Sequence, residues 1–416
     1  MFMTRIARIL AIASAISLSG TAASPARCDE YYSEHGFSID LPEGFVYLDG
    51  DGATKFSFGL PDGSVEVDIA VYPSSRFAGA KSGADDTTRK LSGRGVFSSF
   101  QYGGHDAAIG ELSIGAGTAA LRGYGLFVDD ASSPEGGDTY DLVVLAYAGA
   151  SSYESYRDVV ASALDGFSIN YLRKAAAGPL GTAARAALGR PRPSEATVRF
   201  GSSTIRTEWD PREAAACQSL VEREYRVLSA YASSPELIDA AIARFYRMIF
   251  RDATPSLDRL ALEMSAAWET SRRGKGARGG EGTAKDGNPR FGAPADPRAY
   301  AEALLSWVQG FRYERDPAGS DVVNPISAAF EGRGDCDSRA LVMAILLRRE
   351  NIASLLMVSL EHEHALAAVD APGAGARFPY EGKGWLVAET TAKVGIGLID
   401  AAQADPAGWI AVRFPD

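Results

Sequence analysis

Residues 337–350 place the tightest constraint on this chain. Read as a helix, they are apolar nearly all round, through Leu341, Met343, Ile345 and Leu347. A helix with no polar face is stable only when neighbours cover every side of it. The segment therefore predicts a central helix with other elements packed around it. The turn Glu331-Gly332-Arg333-Gly334 leads into Asp335-Cys336, so Cys336 is predicted at the amino-terminal end of that helix. Free N–H groups and the helix dipole at such a position favour a thiolate, with a pKa of roughly 3.5–7.5, and the same amides can serve a developing oxyanion. Gly334 is expected to let a substrate backbone approach closely. Asp335 and Asp337, which flank the thiol, are expected to cap the helix and match its dipole.

Beyond the helix, 352–360 reads as a strand, Glu361-His362-Glu363 as a turn, and 365–369 as the returning strand. Residues 385–388 form the next strand, which ends at Glu389. Cysteine, histidine and acid thus follow one another in a chain that has only three cysteines and four histidines. A thiol nucleophile needs one partner to take its proton and another to hold the imidazole in the right tautomer. His362 competes with His364 for the first role, because neighbours two apart on a strand share a face. Gln309 and Asn324 are oxyanion helpers by residue type alone, with structural roles as the alternative. The scattered cysteines have no metal-ligand spacing, so no metal site is expected.

The run Gly334-Asp335-Cys336-Asp337, His364-Ala365 on a strand, and Trp385 followed by Glu389-Thr390-Thr391 together resemble the core of the transglutaminase-like superfamily. Val394-Gly395-Ile396-Gly397 fits the same pattern. The resemblance covers 298–416 and implies a papain-like core, a central helix packed on an antiparallel sheet. By motif position it makes Cys336 the nucleophile, His364 the general base and then acid, and Glu389 the orienting carboxylate. Many members carry Asp at the acid position, while bacterial members ending in Glu-Thr-Thr are similar to this chain. The expectation is a cysteine hydrolase or transamidase acting on peptide or isopeptide bonds through a thioester, with no cofactor. The alternative is a non-catalytic envelope binding or scaffold protein of the same fold.

The full chain is expected to be α+β, with several domains in 416 residues. In 35–172, Phe37, Ile39 and Leu41 alternate with polar residues, as do Val65, Val67, Ile69 and Val71. Apolar runs at 119–128 and 140–148 suggest further strands. Ser151 with Glu154 forms a capping-box pattern before a helix, and 166–169 closes the unit. This layout resembles the small α/β sandwich domains of the Mog/PsbP-like type. His35 and His105 read as isolated surface or loop residues. Residues 173–198, rich in Ala, Gly, Pro and Arg, read as a linker, and 199–270 as a helical region with an aromatic stripe of Phe245, Tyr246 and Phe250 packed in its core. The 271–297 stretch is a basic, Gly-rich loop, with six basic and two acidic residues between 271 and 290 giving a net charge of +4. It is read either as a solvated loop or as a contact for an anionic envelope polymer or lipid headgroup.

At the amino terminus, Arg5 and Arg8 precede an apolar stretch from Ile9 to near Leu18, then small residues from Gly20 to Ala26. This is the pattern of an export signal over 1–26, and the stretch is shorter than the roughly 20 apolar residues of a membrane span. Cys28 follows Arg27 rather than a small residue, which makes lipid anchoring the weaker reading. A periplasmic or secreted protein is expected, with a peptide or protein substrate and no transmembrane span. Cys28 and Cys217 are one candidate disulfide, with three unpaired thiols as the alternative. The net charge of −11 argues against nucleic acid as a partner.

Overall fold

The computed structural model describes residues 30–273, 296–316 and 319–415. The export signal over 1–26, Cys28 and most of the basic loop lie outside these residues. The chain divides into two compact units, one running to Gly189 and including Arg226–Ala241, the other comprising Arg190–Tyr225 and Ile242–Asp416. Its class is α+β, with several antiparallel sheets.

The first unit contains β1 (Glu30–Tyr32), β2 (Ser38–Asp40), β3 (Val46–Gly50), β4 (Lys55–Gly59), β5 (Val65–Pro73), α1 (Ala80–Lys90), β6 (Arg94–Tyr102), β7 (His105–Ile114), β8 (Leu121–Ala131), β9 (Tyr140–Gly149), α2 (Tyr153–Asp165), β10 (Phe167–Ser168) and α3 (Pro179–Ala187). Seven strands form one antiparallel sheet in the order β3-β4-β5-β9-β8-β7-β6, and β1-β2-β10 form a second. The alternation in β5 places Val65, Val67, Ile69 and Val71 in one core with Phe37, Phe56, Val144, Val160 and Leu164. On the opposite face Ala84, Phe97, Phe127 and Leu145 pack together, so helices cover both sides. The polar face of β5 is not simply solvated: Asp68 is buried and accepts a 2.7 Å hydrogen bond from the Tyr147 hydroxyl.

Two local expectations fail here. Ser151 and Glu154 do not form a capping box. Ser152 is the N-cap of α2 and makes no side-chain cap bond, while Glu154 pairs with Arg122 at 2.7 Å. The helix begins one residue later than that pattern requires, which takes Glu154 out of the capping position. Nor is 173–198 an unstructured linker, since it contains α3 and the start of a hairpin. Asp165 caps α3 by accepting the Leu180 N–H at 2.7 Å, and Pro179 enters at the first turn, where its missing N–H is harmless.

The second unit contains the hairpin β11 (Ser194–Phe200) and β12 (Ser203–Trp209), then α4 (Pro211–Ser229), α5 (Ile238–Arg273), α6 (Pro297–Val308), α7 (Pro325–Glu331), α8 (Cys336–Arg349), β13 (Ser354–Ser359), β14 (His364–Val369), β15 (Arg377–Tyr380), β16 (Lys383–Ala388) and β17 (Ile410–Arg413). The last turn of α4 and the start of α5 belong to the first unit. The region expected to be helical from 199 thus opens with most of a β-hairpin. Residues 340–347 of α8 are all buried, as an all-apolar helix requires. Strands β13 and β14 lie against one side of it, α6 and α7 against others. The five-stranded antiparallel sheet runs β15-β16-β14-β13-β17 and packs Leu355, Met357, Phe378, Trp385 and Trp409 together. Among the described residues no helix is long and apolar enough to cross a membrane.

Candidate active site

The approach to α8 is set by glycine and a cap. Gly332 ends α7 in the left-handed conformation, φ 62°. Gly334 has φ 155°, and a Cβ there would come within 2.7 Å of Ser338 Cβ. The absence of a side chain there clears Ser338. Asp335 is the N-cap: its Oδ1 accepts the Ser338 N–H at 2.9 Å and lies 2.6 Å from the Ser338 hydroxyl. Arg339, buried one turn into the helix, donates to Gly334 O at 3.1 Å, Phe311 O at 2.7 Å and Thr390 O at 3.3 Å. The loops on either side of the site are tied to α8 through this guanidinium.

The hairpin between β13 and β14 pairs Ser359 with His364, and β14 runs antiparallel to β16. That topology brings the first residue of β14 beside the residue that follows β16. His364 Nε2 lies 2.7 Å from Glu389 Oε2. The other carboxylate oxygen accepts from Thr391 N at 2.7 Å, Thr391 Oγ1 at 2.5 Å and Ala392 N at 3.3 Å. The Glu-Thr-Thr run is therefore a local turn that fixes the acid. Burial alone would raise the Glu389 carboxyl, but the bonds from His364 and Thr391 outweigh it and bring it down to about 2. An ionised acid on Nε2 favours the tautomer in which Nδ1 is the acceptor.

His362 stands apart, in the turn, where its backbone N–H bonds Ser359 Oγ at 3.1 Å. Trp409 lies against both rings, 5.7 Å from His362 and 6.2 Å from His364 in a near-perpendicular arrangement. The sequence reading missed Trp409, which reaches the site only because β17 adds beside β13 at the sheet edge.

Cys336 is the first residue of α8, with 5% of its surface exposed and no disulfide. The Ala365 N–H points to its sulfur. Among the described residues no hydrogen bond joins Sγ to His364. Sγ instead donates to Asp337 Oδ2 at 3.5 Å, and Asp337 Oδ1 accepts from the Tyr246 hydroxyl at 2.5 Å. The expected low thiol pKa is not found. Burial pushes the Cys336 thiol up, Asp337 and Asp335 push it further, and the Ala365 amide opposes them only in part. A helix end carries about half a positive charge, which two adjacent acids can cancel. Asp335 is itself raised to about 7 by burial and by Asp337, against the Ser338 bonds and Arg315.

The remaining candidates are structural. Gln309 Nε2 donates to Glu389 O at 2.8 Å and Val394 O at 2.9 Å, bracing the acid's loop. It lines an open cleft of about 490 Å³ with Leu305, Lys393 and Ile396. Asn324 caps α7 through the Ser327 N–H at 2.9 Å. His35 sits in a loop of the first unit with Nε2 2.6 Å from Ala53 O, and His105 opens β7 there. Among the described residues no group of three His, Cys, Asp or Glu side chains could hold a metal ion. The proposed Cys28–Cys217 pairing involves a residue outside those described.

No family model matches the chain, and no curated protein matches it. Among solved structures it is similar to cyanobacterial PsbP (CyanoP) from Synechocystis sp. PCC 6803, at 10% identity and a TM-score of 0.26, over 36% of this chain and 96% of that one. It is also similar to a protein of Bacteroides thetaiotaomicron VPI-5482, at 12% identity and a TM-score of 0.23, over 55% of this chain and 79% of that one. Both scores are too low to identify a fold.

Proposed function

We propose that this chain is an exported, cysteine-dependent acyl-transfer enzyme of transglutaminase-like architecture, acting on peptide or isopeptide bonds. One observation carries the reading: an imidazole held on a locked carboxylate at 2.7 Å, on strands packed against the helix that Cys336 begins. In this mechanism His364 Nδ1 takes the Cys336 proton and Sγ attacks the scissile carbonyl. The imidazolium returns the proton to the departing amine, which leaves a thioester on Cys336. Water then releases the acid, or a second amine takes the acyl group. Glu389 holds the ring and stabilises its charged form. The first amides of α8 are the donors available to the oxyanion.

The test is to incubate the purified chain with a peptide-amide library and a fluorescent primary amine, comparing it with Cys336→Ala, His364→Ala and Glu389→Ala. New acids or amine conjugates that vanish in Cys336→Ala support the reading, while products formed equally by that variant overturn it. The protonated, acid-flanked thiol favours a second reading, a binding or scaffold protein of the envelope. Under it, Cys336→Ala would retain all cellular function.

A further inference from the structure

The sulfur of Cys336 faces a different partner from the one that catalysis needs. Its S–H points to Asp337 Oδ2, and the other oxygen of that carboxylate is taken by the Tyr246 hydroxyl at 2.5 Å. Tyr246 comes from α5, 91 residues away in sequence, and only 7% of its surface is exposed. We infer that Asp337, oriented by Tyr246, is a positioning residue that latches the resting Cys336 side chain as a thiol turned to the carboxylate rather than to His364.

The chemistry of each group fits. A phenol and a carboxylate at this separation share a strong hydrogen bond in which the phenol donates, and burial, with Asp337 next, pushes Tyr246 well above its ordinary value. Tyr246 therefore remains a donor and cannot become a competing base. Its bond fixes the plane of Asp337 and leaves Oδ2 to accept the S–H. Asp335 at the cap, Arg339 on α8 and Tyr246 on α5 also act on the sulfur electrostatically, while the His364–Glu389 pair stands at the ends of strands packed on α8. Asp337 is the side chain that hydrogen-bonds Sγ. Forming a thioester would require Sγ to leave Oδ2 and pass its proton to His364, giving a thiolate and an imidazolium. A substrate that displaces the thiol from Asp337 would thus arm the nucleophile as it binds, which protects a lone thiol from oxidation beforehand.

The latch depends on the proposed function only in that the restrained thiol is the proposed nucleophile. Its test needs no substrate. Cys336 alkylation by iodoacetamide would be followed against pH by mass spectrometry of the Cys336 peptide in the wild type, Asp337→Asn and His364→Ala. The S–H infrared band, assigned by its loss in Cys336→Ala, would be compared in the wild type, Asp337→Asn and Tyr246→Phe. The latch predicts that Asp337→Asn lowers the alkylation midpoint by about one pH unit or more. It also predicts that the S–H band rises in frequency in both Asp337→Asn and Tyr246→Phe, and that His364→Ala leaves the resting midpoint nearly unmoved. A midpoint that stays or rises in folded Asp337→Asn overturns it. So does a Tyr246→Phe band at the wild-type frequency, a readout that stands even if Asp337→Asn fails to fold. Absence of any acyl-transfer product sinks the catalytic reading and leaves the latch standing.

Discussion

Buried carboxylates occur in both units, and they are used differently. In the first unit Asp141 accepts the Phe77 N–H at 2.9 Å and the Asp130 N–H at 3.3 Å, while Asp165 accepts the Leu180 N–H at 2.7 Å and the Gly181 N–H at 3.3 Å. These partners are backbone amides, so the acids fasten loops and helix starts. In the second unit Glu389 is fastened in the same way through one oxygen, but the other rests on a titratable ring. Asp337 likewise binds a tyrosine through one oxygen and a thiol through the other. A phenol partner alone does not mark a site, since buried Asp68 in the first unit accepts the Tyr147 hydroxyl; Glu389 and Asp337 differ in that one oxygen of each faces an imidazole or a thiol.

That contrast is sharpest in turnover. Cys336→Ala is expected to reduce acyl transfer by about 10³-fold or more, with a modest fall in the urea midpoint from the lost buried sulfur and its bond to Asp337. Glu389→Gln keeps the shape but loses the charge that selects the tautomer, and the expected loss of rate is about 10²- to 10⁴-fold. The comparison breaks if Asp165→Ala, in the other unit, has a similar effect on rate.

The dependence of stability on pH separates two acids at the site. Glu389 is depressed from 4.5 to about 2 on folding, so its contribution is complete above pH 4.5 and disappears as pH falls towards about 2. Urea titrations should therefore find Glu389→Gln less stable than wild type at pH 6 and level with it near the lower limit. Asp335 is raised from 3.8 to about 7, so the folded state keeps its proton and stability is lost as pH climbs through that window. Asp335→Asn should gain on wild type over the same interval. Equal signs for the two variants would mean that one of the assigned environments is wrong. The smallest effect belongs to Asp165→Ala, which should cost about 1 to 2 kcal/mol by uncapping α3, as read from urea midpoints, with acyl transfer unchanged.

Much of the framework is legible in the sequence because its signals are local. The apolar run gives the buried helix, the Gly-Asp turn gives its start, and two short continuous apolar runs give the strands that carry His364 and precede Glu389. The state of the thiol is not legible, because it depends on where neighbouring carboxylates point. The orientation of Asp337 is set by Tyr246 from 91 residues away. In sequence that tyrosine is one member of an aromatic stripe that periodicity assigns wholly to packing, and its hydroxyl leaves no periodic trace. The Ala-rich 173–198 stretch misleads for the opposite reason: its composition suits a helix as well as a linker, and the deciding cap, Asp165, lies outside it. The Ser151 and Glu154 pattern misleads by one residue: the helix is capped at Ser152, which leaves Glu154 free to face Arg122.

Arg339 has a kinetic meaning. One guanidinium holds the carbonyls of residues 5, 28 and 51 positions away, which ties the start of α8 and the loops carrying Phe311 and Thr390 into one cooperative block. Such a block opens all together or not at all. The amide hydrogens around Cys336 and Glu389 should then exchange with deuterated solvent only through large excursions of the second unit, at nearly the same slow rate, whereas loop amides elsewhere exchange independently. A site wired in this way keeps its geometry until the unit around it unfolds.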